Sequence, residues 1–132
     1  MKACLYSVMM SVATVFFATA TASADDAEAG KKVFAACRAC HQIGEQAKNG
    51  VGPELNGLIG RHSGSVEGYN YSPANKDSGI VWDEETFREY IKNPKAVIPG
   101  TKMIYAGLKD EQKISDLIAY LKQFDAEGKT YD

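Results

Sequence analysis

The apolar and polar positions of this chain fall into stretches of different period. Leu5 to Ala20 is apolar or small throughout and carries no charge. Gly30, Val33, Phe34 and Cys37 then recur at helical spacing, with Asp25 and Asp26 placed to cap and fill a first turn, so a helix is expected to about Arg38. From Gln42 to about Tyr71 neither the helical nor the strand period is sustained. Seven of the twelve glycines lie here, and Leu55 to Ile59 makes at most one helical turn. Ser72-Pro73 reads as a cap followed by proline at the first helical position, with Gly79 closing the segment. Asp83 caps the next helix, Glu84 and Glu85 fill its first turn, Phe87, Tyr90 and Ile91 form one face, and Asn93-Pro94 ends it. After the Pro99-Gly100 turn, a last helix is expected from about Asp110. Its stripe is Ile114, Leu117, Ile118 and Leu121, joined by Tyr120 and Phe124, and the polar tail from Gly128 is expected to fray. No segment is convincing as a strand and nothing repeats, so the pattern predicts one all-α domain.

Two features of this pattern ask for an explanation. Gly30 inside a helix costs about 1 kcal/mol against alanine, and close approach by another helix is one use that would justify it. A stretch of some 30 residues without regular structure is unusual in a compact domain. A large apolar cofactor would supply the surface that the chain's own core lacks.

The charge-free run at the start is a matter of address. Lys2 precedes it, and Ala22-Ser23-Ala24 follows as a small-x-small cleavage site. The run is short for a membrane span of about 20 residues. Residues 1–24 are therefore expected to be a cleavable secretory signal and 25–132 the mature domain. Cys4 would leave with the signal, so that Cys37 and Cys40 remain as the only cysteines and no disulfide framework is available. The whole chain carries a formal charge of −2, and loss of Lys2 makes the mature domain more negative by a single charge, which is no footprint of nucleic-acid binding. No second apolar segment is long enough to span a bilayer.

Those two cysteines stand in Cys37-Arg38-Ala39-Cys40-His41. Cys-x-x-Cys-His is the attachment signature of c-type haem. Two thiols three positions apart on a helical turn can add to the vinyl groups along one porphyrin edge, and the histidine that follows is carried under the iron. A redox dithiol would want a preceding strand, and a zinc site a fourth ligand; the mature chain offers only His62 besides. For the iron's other face, Met103 is the only methionine outside the signal, in a Pro-Gly turn segment among polar residues. His62, in a Gly-rich loop, is its rival. A thioether there favours ferrous iron and raises the potential. With both axial positions filled, one-electron transfer is the chemistry left. A labile sixth position would instead suit a small haem peroxidase or ligand sensor.

The chain from about Gly30 to Phe124 resembles the small class I cytochromes c. It is similar to the mitochondrial branch and more so to the bacterial periplasmic cytochromes c2. Beyond the haem motif, the matching stretches are Gly-Val-Gly-Pro-Glu-Leu-Asn-Gly-Leu-Ile-Gly-Arg (50–61), Tyr-Asn-Tyr-Ser-Pro-Ala-Asn-Lys (69–76), Val-Trp (81–82), Glu-Tyr-Ile-Lys-Asn-Pro-Lys (89–95), Ile-Pro-Gly-Thr-Lys-Met (98–103) and Asp-Leu-Ile-Ala-Tyr-Leu (116–121). The resemblance implies a single-domain fold packed around one haem c, bound through Cys37 and Cys40, with His41 and Met103 as axial ligands. Pro53 would hold the second ring nitrogen of His41. Arg61, Tyr71, Ser72 and Trp82 would hold the inner propionate. Tyr90 would hydrogen-bond the sulfur of Met103, and Asn75, Tyr90 and Thr101 would surround a buried water. Gly30 and Phe34 would meet Leu117 and Tyr120 at a helix crossing. Lys48, Lys95, Lys102, Lys109 and Arg38 would ring the exposed haem edge.

Departures from the mitochondrial pattern are mild. Only Ala35 and Ala36 separate Phe34 from Cys37, a spacing the bacterial relatives share, and Ser72 and Tyr105 stand where Thr and Phe are usual. Ala36 stands where a mitochondrial docking lysine would be. The resemblance thus implies a monomeric, soluble, periplasmic electron carrier that is not an enzyme. It would run between a cytochrome bc1-type donor and a terminal oxidase or photosynthetic reaction centre.

Overall fold

The computed structural model describes residues 24–131. The expected signal segment and the Cys4 within it lie outside these residues, save Ala24 at the expected cleavage site. Five helices follow in order: α1 (Ala27–Phe34), α2 (Pro73–Asp77), α3 (Glu84–Lys92), α4 (Pro94–Val97) and α5 (Glu111–Leu121). All five start where a side-chain oxygen accepts from a backbone N–H of the first turn, Asn93 serving α4 through the N–H of Ala96. Asp26 accepts from Glu28 and Ala29, Ser72 from Asn75, Asp83 from Thr86 and Asp110 from Lys113. Each such cap is worth about 1 kcal/mol to its helix.

The centre of the fold is the contact of α1 with α5. Gly30 is buried, and a Cβ built on it would stand 1.9 Å from the carbonyl oxygen of Asp116, so the two backbones touch there. Phe34 packs its ring 5.4 Å from that of Tyr120. The buried Asp116 carboxylate accepts from the backbone N–H of Asp26 at 2.9 Å, tying the start of α1 to the middle of α5. Ile114, Leu117, Ile118 and Leu121 form the buried face of α5, each worth about 1.5–3 kcal/mol of burial. Phe87, Tyr90 and Ile91 turn α3 into the same core, while Arg88 and Lys92 pair with Glu111 on its rim.

The structure differs from the pattern-based reading in four places. The first helix ends at Phe34 rather than near Arg38. The N–H groups of Ala35, Ala36 and Cys37 reach back three residues, to Lys32, Val33 and Phe34, and tighten the chain into turns that carry the Cys-x-x-Cys-His. Leu55 to Ile59 forms no helix. Asn93-Pro94 stops α3 but also starts α4, because the Asn93 side chain accepts from the N–H of Ala96. The tail does not fray. Phe124 and Thr130 form an antiparallel bridge, Asp125 accepts from the N–H groups of Glu127 and Lys129, and Gly128 is buried against the backbone of Gly44. With a φ of +79° and no room for a Cβ, position 128 requires glycine. A second isolated bridge joins His62 to Val81, and the described residues contain no longer strand.

Gly30→Ala is expected to destabilise the protein by about 2 kcal/mol, because overpacking against backbone outweighs the gain of about 1 kcal/mol in helix propensity. Urea unfolding of the variant beside the parent checks this; an unchanged midpoint would mean that the helices do not touch at Gly30.

Candidate functional site

The turns after α1 hold the five motif residues close together. Cys40 and His41 both donate backbone N–H groups to the carbonyl of Cys37. Cys37 is half-buried and Cys40 exposed, with no disulfide between them. Burial, and then the neighbouring Cys40, raise the pKa of the Cys37 thiol. That is opposite to the lowered value of a redox dithiol. No cluster of three or more His, Cys, Asp or Glu able to hold a metal ion exists among the described residues, so a zinc site at the motif lacks its ligands.

His41 is fixed from two sides. Its Nδ1–H donates to the carbonyl of Pro53 at 2.7 Å, which leaves the Nε2 lone pair free. Behind the ring lies Gly52, whose hypothetical Cβ would fall 2.3 Å from His41 Cε1, so any side chain there would displace the imidazole. Burial lowers the histidine's pKa, opposed by the Pro53 bond and helped by the charge of Arg61. The ring is thereby kept in its neutral, metal-binding form.

All twelve residues expected around the cofactor line one largely apolar cavity of about 460 Å³. They are Cys37, Cys40, His41, Pro53, Arg61 and Tyr71 from the loop-rich half, and Ser72, Asn75, Trp82, Tyr90, Thr101 and Met103 from the rest. Leu58, Phe87, Leu117 and Leu121 complete its apolar floor. The Met103 sulfur accepts from the Tyr90 hydroxyl at 3.4 Å, and the Met103 N–H donates to Thr101 Oγ1 at 3.2 Å. The Tyr90 hydroxyl also lies 3.4 Å from Thr101 Oγ1. Burial raises its pKa, with Thr101 and Asn75 pulling the other way, so it stays a donor at neutral pH. Trp82 packs its ring 4.8 Å from that of Tyr90. Ser72 caps α2 and donates its hydroxyl to Asn75 Oδ1. Tyr71 accepts from the N–H of Val66.

Arg61 is the informative member of this wall. Its Nη1 donates to the carbonyl of Asn56 at 2.7 Å and its Nη2 to the carbonyl of Glu54 at 3.1 Å, while the Glu54 carboxylate stands 3.4 Å from Nη1. Its Nε is buried without a partner. A buried donor left unpaired costs about 1–3 kcal/mol, and a carboxylate inside the cavity would satisfy it. An apolar slot holding two thiols, an oriented imidazole, a thioether and one spare guanidinium donor fits a haem with its propionate.

The expected rim cations are differently disposed. Lys102 lines the cavity, but its ammonium donates to the carbonyl of Asn70 at 2.9 Å. Lys109 reaches the carbonyl of Lys92 at the end of α3. Lys48, Lys95 and Arg38 are exposed and lie outside the cavity wall. His62 is exposed and is also absent from the wall. Among the apolar cavity residues that the sequence reading missed are two exposed ones, Val51 and Ile104, which are 76% and 91% exposed. Their signal was an aliphatic residue standing alone in a polar loop, which periodicity does not detect. Glu54, the partner of Arg61, was missed for the same reason.

Known proteins agree with this geometry. The family model described as Cytochrome c matches residues 27–125. Cytochrome c2 of Blastochloris viridis is 68% identical over 109 residues, covering 83% of this chain and 86% of that protein. Cytochrome c-550 of Nitrobacter winogradskyi is 64% identical over 104 residues, 79% of this chain and 95% of that one. Among solved structures, cytochrome cH from Methylobacterium extorquens superposes with a TM-score of 0.70 at 47% identity, covering 74% of this chain and 97% of that chain. With its Cys37-x-x-Cys40-His41 opening the cavity and the match running from α1 past the end of α5, the chain belongs to the cytochrome c family and is a covalent haem c, electron-transfer protein.

Proposed function

We propose that this protein is a soluble periplasmic carrier whose iron is held between His41 and Met103. It would take single electrons from a bc1-type membrane complex and deliver them to a terminal oxidase or a photosynthetic reaction centre. The observation that carries the reading is that the neutral His41 ring and the Met103 thioether line one cavity, each fixed by its own hydrogen bonds. Bound haem supplies one-electron chemistry through its iron, which alternates between Fe(III) and Fe(II). The chain does the rest. Pro53 and Gly52 hold the imidazole in one tautomer and one orientation. Tyr90 donates to the Met103 sulfur and Thr101 holds the Met103 backbone, which fixes the thioether on the cavity wall, where it would serve a haem iron as ligand. A thioether ligand favours the ferrous state. Arg61 offers Nε–H to a propionate, and Leu58, Leu117 and Leu121 exclude water from the ring's surroundings.

A peroxidase or sensor needs an open or labile sixth position. The bonds from Tyr90 and Thr101 to Met103 favour a closed one.

The exposed Val51 and Ile104 suit weak docking around the cavity mouth. Lys48, Lys95 and Arg38 give exposed positive charge to steer the encounter with an acidic partner surface. For Lys102 and Lys109 the docking role is shared with the carbonyls that they already bind. Export rests on the Ala22-Ser23-Ala24 site, and cleavage there would leave Asp26 as the second residue and the cap of α1. No helix among the described residues is long and apolar enough to cross a membrane. The carrier would act as a monomer.

Three outcomes follow from this reading. Met103→Ala is expected to abolish the sulfur-to-iron charge-transfer band of the ferric spectrum, lower the midpoint potential and raise peroxidase activity; an unchanged potential would exclude Met103 as ligand. Tyr90→Phe keeps the ring and the thioether but removes the hydroxyl that donates to sulfur and meets Thr101, so redox titration should give a smaller fall than Met103→Ala. Lys95→Gln should slow oxidation by membranes at low salt and flatten the salt dependence. Equal rates at every ionic strength would move the docking face elsewhere.

A further inference from the structure

The guanidinium of Arg61 is held from one side only, and most of that hold comes from Glu54. Glu54 accepts Arg61 Nη2–H on its backbone carbonyl and Nη1–H on its carboxylate Oε1. Its other carboxylate oxygen accepts the backbone N–H of Asn56 at 2.6 Å, and Asn56 in turn accepts Nη1–H on its own carbonyl. The Glu54 N–H is tied to Asn49 Oδ1 at 3.0 Å. The carboxylate therefore sits in a fixed frame, with its side chain 20% exposed beside a guanidinium that is 17% exposed. Only Nε is left buried and unpartnered, and Arg61 lines the cavity whereas Glu54 does not.

We infer that Glu54 is a positioning residue for the cofactor. It turns Arg61 so that Nε–H is the donor left for a cofactor carboxylate, and its own charge offsets the guanidinium. The inference rests on the haem reading of the cavity. Two opposite charges at this separation act on the pocket as a dipole rather than as a full positive charge. The field that Arg61 alone would set up against ferric iron is therefore softened, and the ferric state is favoured relative to a site without the carboxylate. Burial of both partners limits screening by salt.

The test uses the holoprotein. Glu54→Gln keeps the shape and one acceptor but removes the charge, and redox titration is expected to give a higher midpoint potential. The Arg61 Nε–H of the ferrous protein, followed by NMR, is expected to exchange about tenfold faster, the scale of one charge-assisted hydrogen bond. Glu54→Asp keeps the charge on an arm one methylene shorter; it should speed the exchange while leaving the potential nearer the parent than Glu54→Gln does. A Glu54→Gln protein with the parent's haem spectrum, potential and exchange rate overturns the inference while leaving the haem reading intact. A missing sulfur-to-iron band in the parent itself would fault the Met103 ligation instead. Should Glu54→Gln not assemble with haem, unchanged Nε–H exchange in Glu54→Asp overturns the inference by itself.

Discussion

Backbone contact between α1 and α5 at Gly30 is the constraint on which the rest of this molecule depends. It joins residues about ninety positions apart, through Gly30 against Asp116 and through the Asp116 carboxylate on Asp26. Closing so long a loop carries an entropic cost that grows only slowly with length, so one tight crossing secures the whole chain between its ends. The crossing also sets what α1 delivers. Once Phe34 is locked against Tyr120, the turns that follow have no freedom to carry Cys37, Cys40 and His41 anywhere but the cavity.

Between the two helices the chain does little to fill its own interior. The segment from Gln42 to Tyr71 has no helix, and its residues line a cavity where a domain of this size would ordinarily have core. Its order comes from individual bonds: Gly52 N–H to Cys40 O, Leu55 N–H to Gln42 O, the Asn56 side chain to both backbone groups of Gly44, and the tail glycine pressed on Gly44 from outside. These bonds draw a wall around a space. The wall makes sense when a rigid, apolar cofactor is counted as belonging to the core.

What was legible in the sequence was whatever is decided locally. The caps Asp26, Ser72, Asp83 and Asp110 act over three residues, and each starts the helix it was expected to start. The stripe of α5 is decided by spacing alone. The motif residues and Met103 stood out by chemistry, and the family resemblance supplied the others that meet at the cavity. What was not legible depends on partners distant in the chain or on geometry between them. The end of α1 is set by the change to three-residue bonds at Ala35. The tail folds because Gly128 finds Gly44, some eighty residues earlier, which no composition rule foresees. The ammonium of Lys102 is taken by Asn70, and the charge of Arg61 is met by Glu54, although both cations read from sequence as free to serve the cofactor or a partner.

The His41 ring and the Arg61 guanidinium hang from consecutive carbonyls, those of Pro53 and Glu54. Each oxygen belongs to its own planar peptide unit, and the two units meet at the Glu54 Cα, where only φ and ψ turn one against the other. A shift that carries this dipeptide as a body re-aims the imidazole and tilts the guanidinium together. Two functional groups of the cavity wall are thereby carried on a single dipeptide. Adjusting one without the other falls to rotation at the Glu54 backbone or to the two side chains themselves.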